Sequence, residues 1–178
     1  MKSAGQIIID NLARVRERIE EATLAAHRAP GEVTLIAVSK YVGLTESAAL
    51  LEASCLDLGE SRPQQLWEKA SSQSLSDARW HLVGHLQRNK VRRTLPLTDV
   101  IHSVDSLRLL AAINGVAAEL ELRPRLLLEV NATGEAQKHG LSAGELSATL
   151  EAAEGFSNVR IVGLMAMAPR NGGVDAAR

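Results

Sequence analysis

Apolar residues along this chain switch between helical and extended spacing, and the switches mark its elements. Ile7, Ile8, Leu12, Val15, Ile19 and Ala22 recur at helical spacing, with Arg14, Arg16, Glu17, Arg18, Glu20 and Glu21 on the remaining faces. That pattern predicts an amphipathic helix over 5–28, ended by Pro30-Gly31. Residues 33–39 then read as a fully buried strand: the run is short and rich in Val and Ile, and the loop Tyr41-Val42-Gly43 follows it. Lys40 stands at its C-terminal end.

The alternation continues. Thr45 is placed to cap a helix to residue 53, a short strand spans 56–59, and Pro63 suits the first position of a helix over 63–70. Strands are predicted at 79–83, 100–103 and 125–130, separated by a short basic helix over 87–94 and a long helix over 106–121. Ser142-Ala143-Gly144-Glu145 is a capping box, with Leu141 and Leu146 placed to staple the helix it opens. That helix runs to residue 153, and a sixth strand follows at 159–164.

Strands that alternate with helices demand a parallel sheet with helical crossovers. Such a sheet is either open and doubly wound or closed as a (β/α)8 barrel. Neither a glycine-rich dinucleotide fingerprint nor a P-loop follows any strand, which favours the barrel. The expected fold is therefore α/β, a TIM-type (β/α)8 barrel forming a single domain over 1–178, with about six of its strands present. Residues 169–178, around Asn171-Gly172-Gly173, read as a loop and the start of a seventh helix.

Composition narrows the function. The chain of 178 residues suits one core rather than two. Tyr41, Trp67, Trp80 and Phe156 are its only aromatics, so Leu, Val, Ile and Ala must build that core. A net charge of −1 argues against a protein whose main partner is a polyanion. Cys55 is the single cysteine and cannot form an internal disulfide; no signal peptide opens the sequence and no apolar run approaches a membrane span. A cytoplasmic protein is expected.

In parallel α/β folds the C-terminal strand edge is where ligands bind. The residues predicted there are Lys40, the Gly59-Glu60-Ser61-Arg62 segment, His81 with Gly84-His85, Ser103, Asn131 and Met165. A partly desolvated lysine spends more time as the free amine, which attacks aldehydes. The hexapeptide Leu35–Lys40 alone favours the plainer reading, a strand-end lysine that simply reaches solvent.

The other candidates have plainer readings. His81 and His85 are four apart, but on a strand and a loop, with no Glu of the zincin type between them; no metal site is expected, and His81 reads as a packed strand residue. Arg88, Lys90, Arg92 and Arg93 form a basic patch without interleaved aromatics, which reads as a solvated helix face rather than a nucleic-acid site. Asp57 and Glu60 sit at opposite ends of one short strand and do not converge, and Ser61 and Ser103 lack a triad-type base partner.

A longer pattern goes further. Ala37-Val38-Ser39-Lys40, Leu58-Gly59-Glu60, the stretch from Trp80 through His85 to Lys90 (WHLVGHLQRNK), and Ile101-His102-Ser103-Val104-Asp105 together resemble the pyridoxal-phosphate homeostasis protein family. Val130-Asn131, Glu135, Lys138, Gly140 and Gly163-Leu164-Met165 extend the likeness in order. The resemblance implies a fold-type III barrel of the alanine racemase N-terminal type, with pyridoxal 5′-phosphate held as a Schiff base on Lys40. Ser61, His81, Ser103 and Met165 are the further cofactor-binding positions it suggests, with no catalytic residue. It implies a monomer that buffers or supplies the cofactor within the cell, with apo-enzymes as partners and no membrane or nucleic acid. The alternative is a fold-type III racemase or decarboxylase, which needs a second acid/base group facing the lysine; Tyr41, the only tyrosine, neighbours it instead. Two departures stand out. Ser61 occupies a position where the family usually has Asn, and the family's C-terminal phosphate-gripping loop is not found, so the chain is expected to lack its last strands.

Overall fold

The computed structural model describes residues 3–134 and 139–168. Glu135, Lys138 and the segment 169–178 lie outside the described residues. Helix α1 (Ala4–Ala25) opens the chain, its first turn capped by the Ser3 hydroxyl, which accepts from the Gln6 amide at 3.2 Å. Six strands follow: β1 (Ala37–Val38), β2 (Asp57–Glu60), β3 (Arg79–Leu82), β4 (Val100–Val104), β5 (Arg125–Glu129) and β6 (Arg160–Met165). Between them run α2 (Leu44–Glu52), α3 (Pro63–Ala70), α4 (Val91–Thr94), α5 (Leu107–Glu119) and α6 (Ala143–Ala153).

All neighbouring strands are parallel, and their order in the sheet is their order in the chain. That order decides between the two sheets considered above. A doubly wound sheet reverses direction at a switch point and carries helices on both faces. Here the chain steps one strand at a time in a single direction, so right-handed crossovers all fall on one side. The sheet is an arc of a (β/α) barrel wall, not closed among the described residues.

The two faces of the arc differ in chemistry because side chains alternate along a strand. Leu58, Trp80, Leu82, Ile101, Leu126 and Leu128 project toward the helices and pack with Leu66, Val91, Leu109, Leu110 and Ile113. Each fully buried leucine contributes about 1.5–3 kcal/mol, so this outer layer carries the stability of the domain. The alternate positions, Asp57, Gly59, His81 and His102, lie on the concave face, which is largely polar.

Local signals place most elements. Pro63 is the first residue of α3, and Ser142 caps α6 by accepting from the Glu145 amide while Glu145 accepts from the Ser142 amide at 2.8 Å. Leu141 is buried beside them, as a staple requires.

Three expectations need correction. The strand predicted over 33–39 is only Ala37–Val38, and it is not fully buried: Leu35 and Ile36 are half-buried and Val38 is exposed. Apolar composition reports burial against the helices, whereas ladder length is set by the partner, and β2 pairs with only two residues of this edge strand. The cap of α2 is Gly43 rather than Thr45, with Glu46 reaching back to accept from the Gly43 amide at 3.1 Å. The predicted basic helix over 87–94 is a 3-10 turn (Arg88–Lys90) followed by the four-residue α4.

Candidate functional site

The C-terminal ends of the strands form one face, and the polar residues there are tied together from strand to strand. Lys40 lies two residues past β1 and is half-buried. Its ammonium sits 5.0 Å from the centroid of the Tyr41 ring, itself 88% exposed. Among the described residues Lys40 forms no ion pair, so its amine is not committed to a structural role.

Beneath it lies a buried network that the sequence did not announce. Lys69, on α3, donates to the Ser39 carbonyl at 2.7 Å, to Ser39 Oγ at 3.3 Å and to Glu60 Oε1 at 2.5 Å. Ser39 Oγ also donates to Glu60 Oε1 at 3.2 Å, and Glu60 Oε2 accepts from the Ser61 amide at 3.3 Å. Glu60 is completely buried and Lys69 nearly so. An ion pair taken out of water survives only when further hydrogen bonds satisfy it, and Ser39 and the Ser61 amide supply them. The peptide that carries Lys40 is thereby fixed to β2 and α3. Lys69 was legible in principle: Pro63, Leu66 and Lys69 recur every three residues and are all buried on α3.

Ser61, Gly84 and Ser103 continue the face across β2, β3 and β4. A Cβ on Gly84 would stand 2.1 Å from the Ser61 carbonyl oxygen, so only glycine lets the two backbones approach this closely. Ser103 Oγ donates to the Gly84 carbonyl at 2.6 Å. Ser103 is buried and committed to this bond, while the half-buried Ser61 hydroxyl makes no hydrogen bond to another described residue. Met165, the last residue of β6, is half-buried, and its carbonyl accepts from the Val130 amide at 2.8 Å.

His81 lies on the concave face with both ring nitrogens engaged: Nδ1 is 2.9 Å from His102 Nε2, and Nε2 is 3.0 Å from Asp57 Oδ1. Burial pushes the Asp57 carboxyl up, but hydrogen bonds from Arg79 and His81 outweigh it and hold it below the usual carboxylate range. Burial, reinforced by the neighbouring His81 charge, pushes His102 down to about 4. This cluster crosses toward Asp57 at the first position of β2, whereas Lys40 stands beyond the other end of its strand.

The remaining candidates take the places their chemistry suggests. Cys55 is buried, and burial pushes its thiol up. Arg93 lies 4.3 Å from the Trp67 ring centroid and Arg92 pairs with Glu119, so half of the basic patch is used within the fold. No described helix is long and apolar enough to cross a membrane.

A parallel (β/α) barrel wall of this kind is the architecture of a known class. Residues 10–177 match the family model of the alanine racemase N-terminal domain. Within that class, the chain belongs to the pyridoxal phosphate homeostasis protein family. It is 33% identical over 184 residues to the pyridoxal phosphate homeostasis protein of Mycobacterium leprae, a match covering 93% of this chain and 72% of the relative. It superposes on PipY of Synechococcus elongatus, solved with pyridoxal phosphate bound, with a TM-score of 0.78 and 34% identity, over 92% of this chain and 71% of PipY. An unknown protein from Bifidobacterium adolescentis superposes with a TM-score of 0.91 at 29% identity, over 99% of this chain and 75% of that one.

Proposed function

We propose that this chain binds pyridoxal 5′-phosphate on its strand-end face through Lys40 and acts in intracellular cofactor homeostasis, buffering or supplying the cofactor without turning over a substrate. When bound, pyridoxal phosphate supplies an aldehyde that condenses reversibly with a primary amine. One observation carries the reading: of the two lysines at the end of β1, Lys69 is locked to Glu60 and Ser39, while Lys40 has no ion pair among the described residues. The residues fit the cofactor in kind, because a half-buried amine stands where parallel folds bind ligands. PipY, a relative of the same architecture, carries pyridoxal phosphate in its solved structure.

The other residues divide by what is left free on them. Ser61 offers a hydroxyl that is unengaged among the described residues, beside the lysine-bearing strand. Ser103 holds the Gly84 backbone and shapes the wall, and Met165 marks the far edge of the face. His81 is saturated by Asp57 and His102 and acts on the cofactor through the shape and polarity of the concave face. Tyr41 lies under the Lys40 ammonium as its sequence neighbour, which favours a binding protein over a racemase or decarboxylase. The chain acts in the cytoplasm as a monomer, with apo-enzymes that need the cofactor as its recipients.

The test is a transfer assay. Chain loaded with pyridoxal phosphate is mixed with an apo-enzyme dependent on that cofactor, and reactivation is followed against free cofactor at equal concentration. Reactivation that is slower than with free cofactor, and that speeds up in Lys40→Ala, supports buffering by this lysine. Reactivation at the free-cofactor rate with the unaltered chain contradicts it.

A further inference from the structure

A second cluster lies on the same face, built from three loops far apart in sequence. His85 follows β3, Asp105 follows β4 and His139 precedes α6. His85 Nδ1 is 2.9 Å from Asp105 Oδ2, and His139 Nδ1 is 3.8 Å from that same oxygen. The two imidazoles stack with centroids 4.8 Å apart and planes 21° apart, so both Nδ1 atoms converge on one carboxylate. One donor atom from each of the three residues lies within 4.8 Å of the other two. A surface hydrogen bond between His85 and Asp105 explains the first distance. It does not explain why His139 brings its ring to the same oxygen.

Glu129 is the last residue of β5. It is buried, and its carbonyl accepts from the Leu141 amide at 2.7 Å, which ties the chain just after His139 to the strand end. The donor set selects the cation. Calcium and magnesium prefer all-oxygen shells, whereas two imidazoles with a carboxylate suit zinc and its first-row neighbours. Bonds of about 2.0–2.2 Å in a tetrahedral shell separate adjacent donor atoms by about 3.4 Å. The present contacts of 2.9 and 3.8 Å bracket that separation. The His85 and His139 side chains are 45% and 65% exposed, which leaves an entry path and room for a water ligand.

We propose that His85, Asp105 and His139 bind a divalent transition-metal ion of the zinc class. The ion would clamp the loops that follow β3, β4 and β5 and so stiffen the face that carries Ser103 and Asn131.

The test titrates zinc into the chain freed of pyridoxal phosphate, which itself chelates metals, in competition with a chromophoric chelator. Cobalt is added in parallel for its visible absorption. The expected result is one ion per chain, with affinity at least a hundredfold weaker in His85→Ala and in His139→Ala and the cobalt band lost in both. His27→Asn, remote at the end of α1, should bind within twofold of the unaltered chain, and circular dichroism should show all three variants folded. No saturable binding by the unaltered chain overturns the site. So does a loss of less than tenfold in either histidine variant, or an equal loss in His27→Asn.

Discussion

Lys69 and Glu60 meet at 2.5 Å in the buried layer under β1, and Lys69 also holds the carbonyl of the residue that precedes Lys40. The pair joins the helix layer to the strand end, so it fixes the peptide that carries Lys40. Removing one partner leaves the other charged in a site without water. Lys69→Met should therefore cost about 3–5 kcal/mol in chemical denaturation. The double variant Lys69→Met with Glu60→Gln should recover a substantial part of that loss, because the stranded charge is gone. A cost below about 1 kcal/mol for the single change, in the range of exposed pairs, would mean the pair is solvated.

Gly84 sets the spacing of the second and third strand ends. An alanine there would push its methyl against the Ser61 carbonyl, which is backbone and cannot swing away. Gly84→Ala should lower stability by at least about 1–3 kcal/mol, the usual cost of overpacking. It should also weaken cofactor retention more than the equally small change Gly115→Ala, where open space surrounds the added methyl. Thermal melts and a cofactor titration on the two variants separate these outcomes.

The concave face should make the protein acid-sensitive. An ordinary imidazole titrates near 6.5, and His102 in the fold is lowered to about 4. The unfolded chain therefore takes up that proton first. The stabilisation is fully present above about pH 6.5 and is lost as pH falls toward 4, by at most about 3 kcal/mol. Asp57 works in the same direction at lower pH, since its folded value lies below the ordinary carboxylate value. His102→Gln, which keeps a hydrogen-bonding partner for His81, should flatten the fall between pH 7 and pH 4.5. Denaturant midpoints at the two pH values, equally far apart in variant and parent, would show that His102 is not the group responsible.

The sequence made the arc legible because strands and helices differ in apolar spacing, and it made Lys40 legible because an apolar run ends on it. It did not reveal that β1 has only two paired residues, since apolar composition reports contact with helices rather than pairing. Nor did it reveal the commitment of Lys69: a lysine on an amphipathic helix looks solvated until its spacing from Pro63 and Leu66 is followed. The pairing of His85 with Asp105 and His139 was out of reach for a different reason. Spacing within one segment suggested His81 as its companion, but alternation along β3 sends His81 to the concave face, while His85 lies in the loop beyond the strand. Only the adjacency of three strand ends brings its true neighbours together.

Lys40 is proposed as the amine that holds pyridoxal phosphate. The direct measurement adds the cofactor, reduces with borohydride and maps the modified peptide by mass spectrometry. One reduced pyridoxyl group per chain is expected, located on Lys40, and none in Lys40→Ala. Modification on Lys69 or scattered over surface lysines, or an unmodified Lys40 in a chain that binds the cofactor, would contradict it.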